Sequence, residues 1–291
     1  APIQTLVEIL DFAQSAASGL RRIVETLDAP IEIPEAADAV DLPDSSLEVS
    51  FTDVGFSYRT GPEVLSDVTV QIPAGGRIAI VGETGSGKTT FAKLLVRLLD
   101  PDRGVIAIGG VDLRRVAQAS LRSRVAFVPQ EGFLFTGTIA DNVRYGDTGA
   151  SNEDVMTALR ELELDDWVGS FPSGIDTAVG ERGSSLSAGE RQLVALARAW
   201  ISNPDVLVLD EATSAVDPAL DVRLRRAIDR LTSGRTSVTI AHRLATAEGA
   251  EQVLVFDRGR LVEKGTHREL IAAGGVYAGL YADWAAGTTV V

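Results

Sequence analysis

RIAIVGETGSGKTTFAKLLVRLL, from Arg77 to Leu99, is the stretch that decides the fold. The apolar run Ile78 to Val81 has the length of a strand buried on both faces, and TTFAKLLVRLL carries a helical pattern. Between them Gly82-Glu-Thr-Gly-Ser-Gly-Lys-Thr, ending at Thr89, fills every fixed position of G-x-x-x-x-G-K-[ST]. Glycine at positions 82, 85 and 87 lets the chain turn tightly enough for several N–H groups to face one anion. The following helix adds its positive end. Lys88 brings a compact charge to the outer phosphates, and Thr89 a hydroxyl suited to Mg²⁺. Gly82, Glu83, Thr84, Gly85, Ser86, Gly87, Lys88, Thr89 and Thr90 are expected to cradle the phosphates of a nucleotide.

Outward from this loop, RVAFVPQ, VLVLDE, TSVTIAH and QVLVFD are further short apolar runs that end on polar residues. Runs of this kind suit a mostly parallel sheet with helices on both faces. LEVSFTDVGFSY and VLSDVTVQI alternate as antiparallel strands do. Residues from about 132 to 203 carry helix signal and little strand signal, and read as a helical insertion. The expected fold is therefore α/β: a P-loop ATPase core, an antiparallel β-subdomain and a helical subdomain, over residues 47–287. VLVLDE ends on Asp210, placed to orient Mg²⁺ or its water, and Glu211, placed to activate an attacking water.

Two segments precede the core. Ile3, Leu6, Leu10, Ala13, Ala17, Leu20, Val24 and Leu27 form one apolar stripe, which predicts a helix over 1–28 of about seven turns at ~3.6 residues each. Residues 29–46 alternate prolines with carboxylates and read as an extended, mobile acidic linker. The chain opens on Ala1 and is read as a piece of a longer polypeptide, with the first helix continuing from a transmembrane domain. No apolar run reaches the ~18 residues that span a bilayer. Net charge is −14, from 27 basic and 41 acidic residues, which argues against nucleic acid and against direct lipid binding. There is no cysteine and there are two histidines, so thiolate and His-rich metal sites are excluded.

Several motifs narrow the class. LSAGERQ, Leu186 to Gln192, resembles the signature motif of ABC ATPases. VPQ, ending at Gln130, resembles their Q-loop, SAVD (Ser214 to Asp217) their D-loop, and IAHRL places His242 at their switch histidine. Tyr58 in FSYRTG is similar to the A-loop aromatic, whose face stacks on adenine for ~1–3 kcal/mol. The resemblance covers residues 47 to about 285. It implies ATP and Mg²⁺ as ligands, with Thr89, Asp210 and Gln130 at the metal, partly through water. It implies catalytic roles for Glu211, His242, Gln130 and Lys88, and binding of a second subunit's nucleotide, in trans, by Ser187 and Gly189. The partners implied are a second nucleotide-binding domain, in a homodimer or heterodimer, and a transmembrane domain of the same parent chain.

EGFLFTGTIADNVRYG (Glu131 to Gly146) and VGERG (Val179 to Gly183) look like exporter-type domains, the second like the x-loop facing the membrane part. The expected function is ATP hydrolysis driving transport, at the cytoplasmic face of the cell membrane. Two alternatives stay open: a soluble ABC ATPase acting on nucleic acid, disfavoured by the single core and the acidic charge, and a regulatory partner domain with weak hydrolysis. Ala188 and Glu190 depart from the usual LSGGQ pattern. Glu190 either faces a partner's nucleotide and weakens the composite site, or caps its own helix.

Overall fold

A computed structural model describes residues 2–29, 31–59, 61–210, 217–241 and 244–288. These divide into two units, residues 1–34 and 35–291. The first is a helix, Pro2–Leu27, none of whose residues is buried. Its apolar stripe, including Ile3, Leu6, Leu10, Leu20, Val24 and Leu27, is exposed.

The second unit holds two sheets. Strands β1 (Val49–Ser57), β2 (Glu63–Ile72), β3 (Arg77–Val81), β4 (Arg103–Ile108) and β5 (Val111–Asp112) precede β6 (Val125–Val128), β7 (Val206–Asp210), β8 (Thr236–Ile240), β9 (Gln252–Asp257) and β10 (Arg260–Gly265). The smaller sheet runs β2-β1-β4-β5 and is antiparallel throughout. The larger runs β10-β9-β3-β8-β7-β6, parallel except for the β9–β10 hairpin at its edge. Every residue of β7 and β8 is buried, as continuous apolar runs covered on both faces require. β3, β8 and β7 end at the same side of the sheet, so Gly82 and Asp210 emerge on either side of β8. That side is where open parallel sheets bind ligands.

One face of the larger sheet packs with the smaller sheet around Phe51, Phe91 and Phe256; the Phe51 and Phe91 rings stack at 4.1 Å. Between β6 and β7 lie the helices Ile139–Arg144, Asn152–Glu161, Asp165–Gly169 and Ala188–Ile201, and no strand. Their apolar faces meet β7 and the helix Pro218–Thr232 in a second cluster around Leu193, Leu196 and Leu224. Three of these helix starts carry reciprocal capping boxes: Thr138 with Asp141, Ser151 with Asp154 and Ser187 with Glu190.

Within residues 29–46, where an extended, mobile acidic linker is expected, the second part is tied to the core. Val40 forms a parallel bridge with Val116, accepts a hydrogen bond from the Ala117 N–H and donates one to the Arg115 carbonyl. Leu42 is buried, and its N–H donates to Ser120 Oγ at 3.0 Å. The Arg124 guanidinium donates to the carbonyls of Pro43 (2.6 Å) and Ser45 (3.2 Å) and to Asp205 Oδ2 (2.6 Å). Backbone pairing at Val40, the buried Leu42 side chain and a capturing arginine hold a strap that proline and acid content alone reads as loose.

Candidate functional site

The phosphate loop follows β3 directly. Gly82 (φ 153°) and Gly87 (φ 101°) occupy backbone regions that side chains rarely adopt. A Cβ on Gly82 would strike the Phe256 carbonyl oxygen, and one on Gly87 would lie 2.6 Å from Leu65 Cδ2. The loop is thus pressed against β9 and β2 and keeps its turn only with glycine. It leads into the helix Lys88–Leu95, whose start has no side-chain cap. The first-turn N–H groups of such a helix have no intrahelical partner.

Lys88 is 7% exposed and donates to the carbonyls of Gly82 (2.8 Å) and Glu83 (2.7 Å). Burial lowers its pKa from the usual lysine value, and the nearby Asp210 carboxylate partly opposes this. A phosphate would restore what burial removes. Gly85, Gly87, Lys88, Thr89, Thr90 and Val64 line a small open depression of about 140 Å³ at this point. Asp210, at the end of β7, accepts from Thr89 Oγ1 at 3.4 Å through Oδ2. A hydroxyl and a buried carboxylate at this distance, beside an ammonium and uncapped N–H groups, would fit a hard cation that takes oxygen ligands. Ser86 Oγ is buried without a hydrogen-bond partner among the described residues. Tyr58, just past β1, is half-exposed; its ring meets Phe56 edge-on at 5.0 Å, and its hydroxyl lies 3.3 Å from Thr90 Oγ1. The aromatic face is therefore anchored over the start of the same helix.

Gln130 is exposed at the end of β6, and the loop around it is pinned to the helix Ala188–Ile201. Gln192 Nε2 donates to the Pro129 carbonyl at 3.3 Å, and a Cβ on Gly132 would lie 2.6 Å from the Arg191 carbonyl oxygen. Ser187 caps that helix and Gly189 is buried in its first turn. Glu190 points onto its own helix start. Its Oε2 accepts from the Ser187 N–H and Oγ, both at 2.8 Å, and Oε1 accepts from Trp167 Nε1 at 3.4 Å. Burial pushes the Glu190 carboxyl up, but these hydrogen bonds outweigh it and leave the pKa below the usual value. Asp217 caps the helix Pro218–Thr232, accepting from the Ala219 N–H at 2.8 Å. Glu211, Ser214 and His242 lie outside the described residues.

Sequence reasoning missed a hub beside the Q-loop. Asn142 is fully buried; its side chain accepts from the Phe135 N–H and donates to the carbonyls of Phe135 and Thr138. Arg198 donates to Asn142 and to the Phe133 carbonyl. This network presents Phe133, Phe135 and Tyr145 as three exposed rings, with Phe135 packed between the other two. Only the aromatic content of residues 131–146 signals it.

The sequence profile described as ABC transporter matches residues 65–214, just over half of the chain. The chain belongs to the ABC transporter family. Among ABC proteins it is 42% identical over 279 residues to the uncharacterized ABC transporter ATP-binding protein YknV of Bacillus subtilis, covering 96% of this chain and 46% of that protein. It is 41% identical to the fatty acid ABC transporter ATP-binding/permease protein of Mycobacterium bovis, over 95% of this chain and 43% of that one. A bacterial Atm1-family ABC exporter solved with ATP bound superposes with a TM-score of 0.85 at 39% identity, covering 93% of this chain and 47% of that one. The chain spans about half the length of these relatives. It is an ATP-binding domain of the ABC ATPase type with the α/β core and N-terminal helix expected, and no helix among its described residues is long and apolar enough to cross a membrane.

Proposed function

We propose that this ABC domain binds MgATP on the loop Gly82–Thr90 and hydrolyses it to ADP and phosphate to drive an exporter-type membrane transporter. The observation that carries the reading is buried Lys88 beside the Thr89–Asp210 hydrogen bond at an uncapped helix start. In this reading Tyr58 stacks on adenine, and the N–H groups of the loop with Lys88 hold the phosphates. Thr89, Asp210 and Gln130 hold Mg²⁺, in part through water. The cation, when bound, neutralises charge on the phosphate oxygens. Glu211 takes the proton of the attacking water, and His242 donates to the terminal phosphate.

Ser187 and Gly189 contact nucleotide held by a second domain, so the ATPase works as a dimer. Support for a membrane partner at the cytoplasmic face comes from the exposed Phe133, Phe135 and Tyr145 rings within a segment resembling exporter domains. The reading as a regulatory partner domain rested on Glu190 facing a nucleotide. With Glu190 turned onto its own helix, that support falls away.

The test is ATPase rate per chain against protein concentration. The rate should rise with concentration and then saturate. Glu211→Gln should keep ATP binding, lower turnover ~10²–10⁴-fold, the usual worth of a general base, and accumulate an ATP-bound dimer. A wild-type rate in Glu211→Gln removes that residue from the reaction.

A further inference from the structure

The larger sheet's two faces differ in a way the nucleotide site does not use. On one face Ile78, Ile80, Val238 and Ile240 enter the main core cluster. On the other, the register of β3 and β8 sets Arg77 beside Ser237 and Ala79 beside Thr239. The strands on either side of this patch belong to different clusters. Leu207 and Leu209 of β7 pack with Leu224, Ala227 and Leu231 of the helix Pro218–Thr232. Ala79 and Val253 pack with Ala247 and Tyr277. Ser237 and Thr239 thus lie in the seam between two apolar clusters.

A cavity of about 250 Å³ opens along that seam, with Ile228 and Ala250 among its walls. Ser237 and Thr239 line it at 2% and 7% exposure, and their hydroxyls open onto the cavity rather than being sealed in the core. Their neighbour Thr236, which faces the other way, accepts from the Gly75 N–H and donates to the Leu47 carbonyl. The guanidinium groups at the cavity are already engaged: Arg225 pairs with Asp221 at 2.9 Å, and Arg77 donates to the Gly249 carbonyl. Asp229 is exposed to solvent. The cavity therefore offers apolar walls and two hydroxyls spaced ~7 Å along one strand, with one arginine already ion-paired and the other hydrogen-bonded to a carbonyl.

We propose that this seam is a binding site for a small, uncharged amphipathic molecule of about bicyclic size, its apolar body bridging the two clusters and a polar group bonded to Ser237 or Thr239. The size follows from volume, since an apolar cavity of about 150 Å³ holds benzene. The site lies under β3, which runs into Gly82, and under the helix that begins at Pro218. An occupant there braces elements that lead to the nucleotide cradle without touching it.

The test is binding of naphthol to the chain, measured by calorimetry, against naphthalene and naphthoate as matched probes without the hydroxyl and with a charge. Naphthol should bind saturably, and the other two at least about tenfold more weakly, the equivalent of about one net hydrogen bond. Thr239→Val and Ser237→Ala together should weaken naphthol about tenfold and leave naphthalene unchanged. Ser237→Leu, which fills the floor, should abolish naphthol binding while the melting midpoint holds or rises. MgATP affinity should be retained in all variants, so loss of the nucleotide reading and loss of this site are separate outcomes. Equal binding of the three probes, no saturable naphthol binding up to its solubility limit, or naphthol binding untouched by the double substitution overturns the proposal. The double substitution decides the matter alone should Ser237→Leu not fold.

Discussion

Two helix starts in this domain face opposite demands. The helix Lys88–Leu95 begins on a left-handed glycine with no side-chain cap. The helix Ala188–Ile201 begins on Ser187, with both halves of a capping box closed by Glu190. A helix start attracts an anion through its free N–H groups and its dipole. At the first start that attraction is left open, with Lys88 and Asp210 beside it. At the second, the chain's own carboxylate already sits there. One start is built to receive a ligand; the other is built to be stable until something displaces Glu190 from Ser187.

The largest effect expected from breaking this contrast is at Lys88. Lys88→Ala removes the only buried ammonium among the described residues and should weaken MgATP binding by about a hundredfold or more, as losing the cation of a buried ammonium–phosphate pair would. Titration with a fluorescent nucleotide checks it, and unchanged affinity would remove the loop from the function. The lowered Lys88 pKa adds a pH dependence. Affinity should decline with rising pH sooner than an ordinary lysine would allow, because the charged form is already disfavoured in the free protein.

Gly82→Ala comes next and should act on the fold itself. Its Cβ meets the Phe256 carbonyl at a φ reserved for glycine. A cost of about 1–3 kcal/mol in denaturant unfolding is expected, with loss of nucleotide binding. An unaltered midpoint would mean that the loop is less constrained than its contacts with β9 require.

The open start was plain in the sequence; the closed one was only half plain. Glycines and a lysine at fixed spacing, between a strand and a helix, rarely build anything but a phosphate cradle, and strands buried on both faces announce themselves as apolar runs. S-x-x-E at Ser187 to Glu190 is equally a local signal for a capping box, yet resemblance to a phosphate-contacting motif left the direction of Glu190 open. What could not be read locally are contacts made over long separations. Arg124 holds Pro43 across 81 residues and Arg198 holds Asn142 across 56, and nothing near either arginine marks its partner. The hairpin of β4 and β5 escaped for a different reason. Its turn, Gly109-Gly110, has both φ values positive, as a tight two-residue hairpin needs, but its strands are too short to show a period.

Ser187→Ala separates the two jobs of the closed start. Loss of an N-cap side chain costs ~1 kcal/mol of stability. If Ser187 serves only its own helix, ATP-driven dimerisation should fall no further than this. A loss several times larger in sedimentation, at matched folded fraction, assigns its hydroxyl to the partner's nucleotide as well.

Glu190→Gln makes the smallest change and the finest distinction. The glutamine oxygen can still accept from the Ser187 N–H, so the box survives with a neutral acceptor. Glu190's pKa lies below the usual value, so its charged form stabilises the fold above the unfolded pKa, near 4.5, and that contribution is lost as pH falls through the lowered folded pKa. The side chain is only partly buried, so solvent screens part of the effect. At neutral pH the substitution should therefore cost no more than about 0.5 kcal/mol, the ordinary surface range, and the difference should shrink as the pH is lowered below 4.5. Dimerisation at saturating MgATP, in the Glu211→Gln background, should be unchanged within the same margin. A gain of about tenfold or more in dimer affinity would mean that the carboxylate meets the opposing triphosphate after all. The closed start would then open on dimerisation, and the two helix starts would differ in timing rather than in kind.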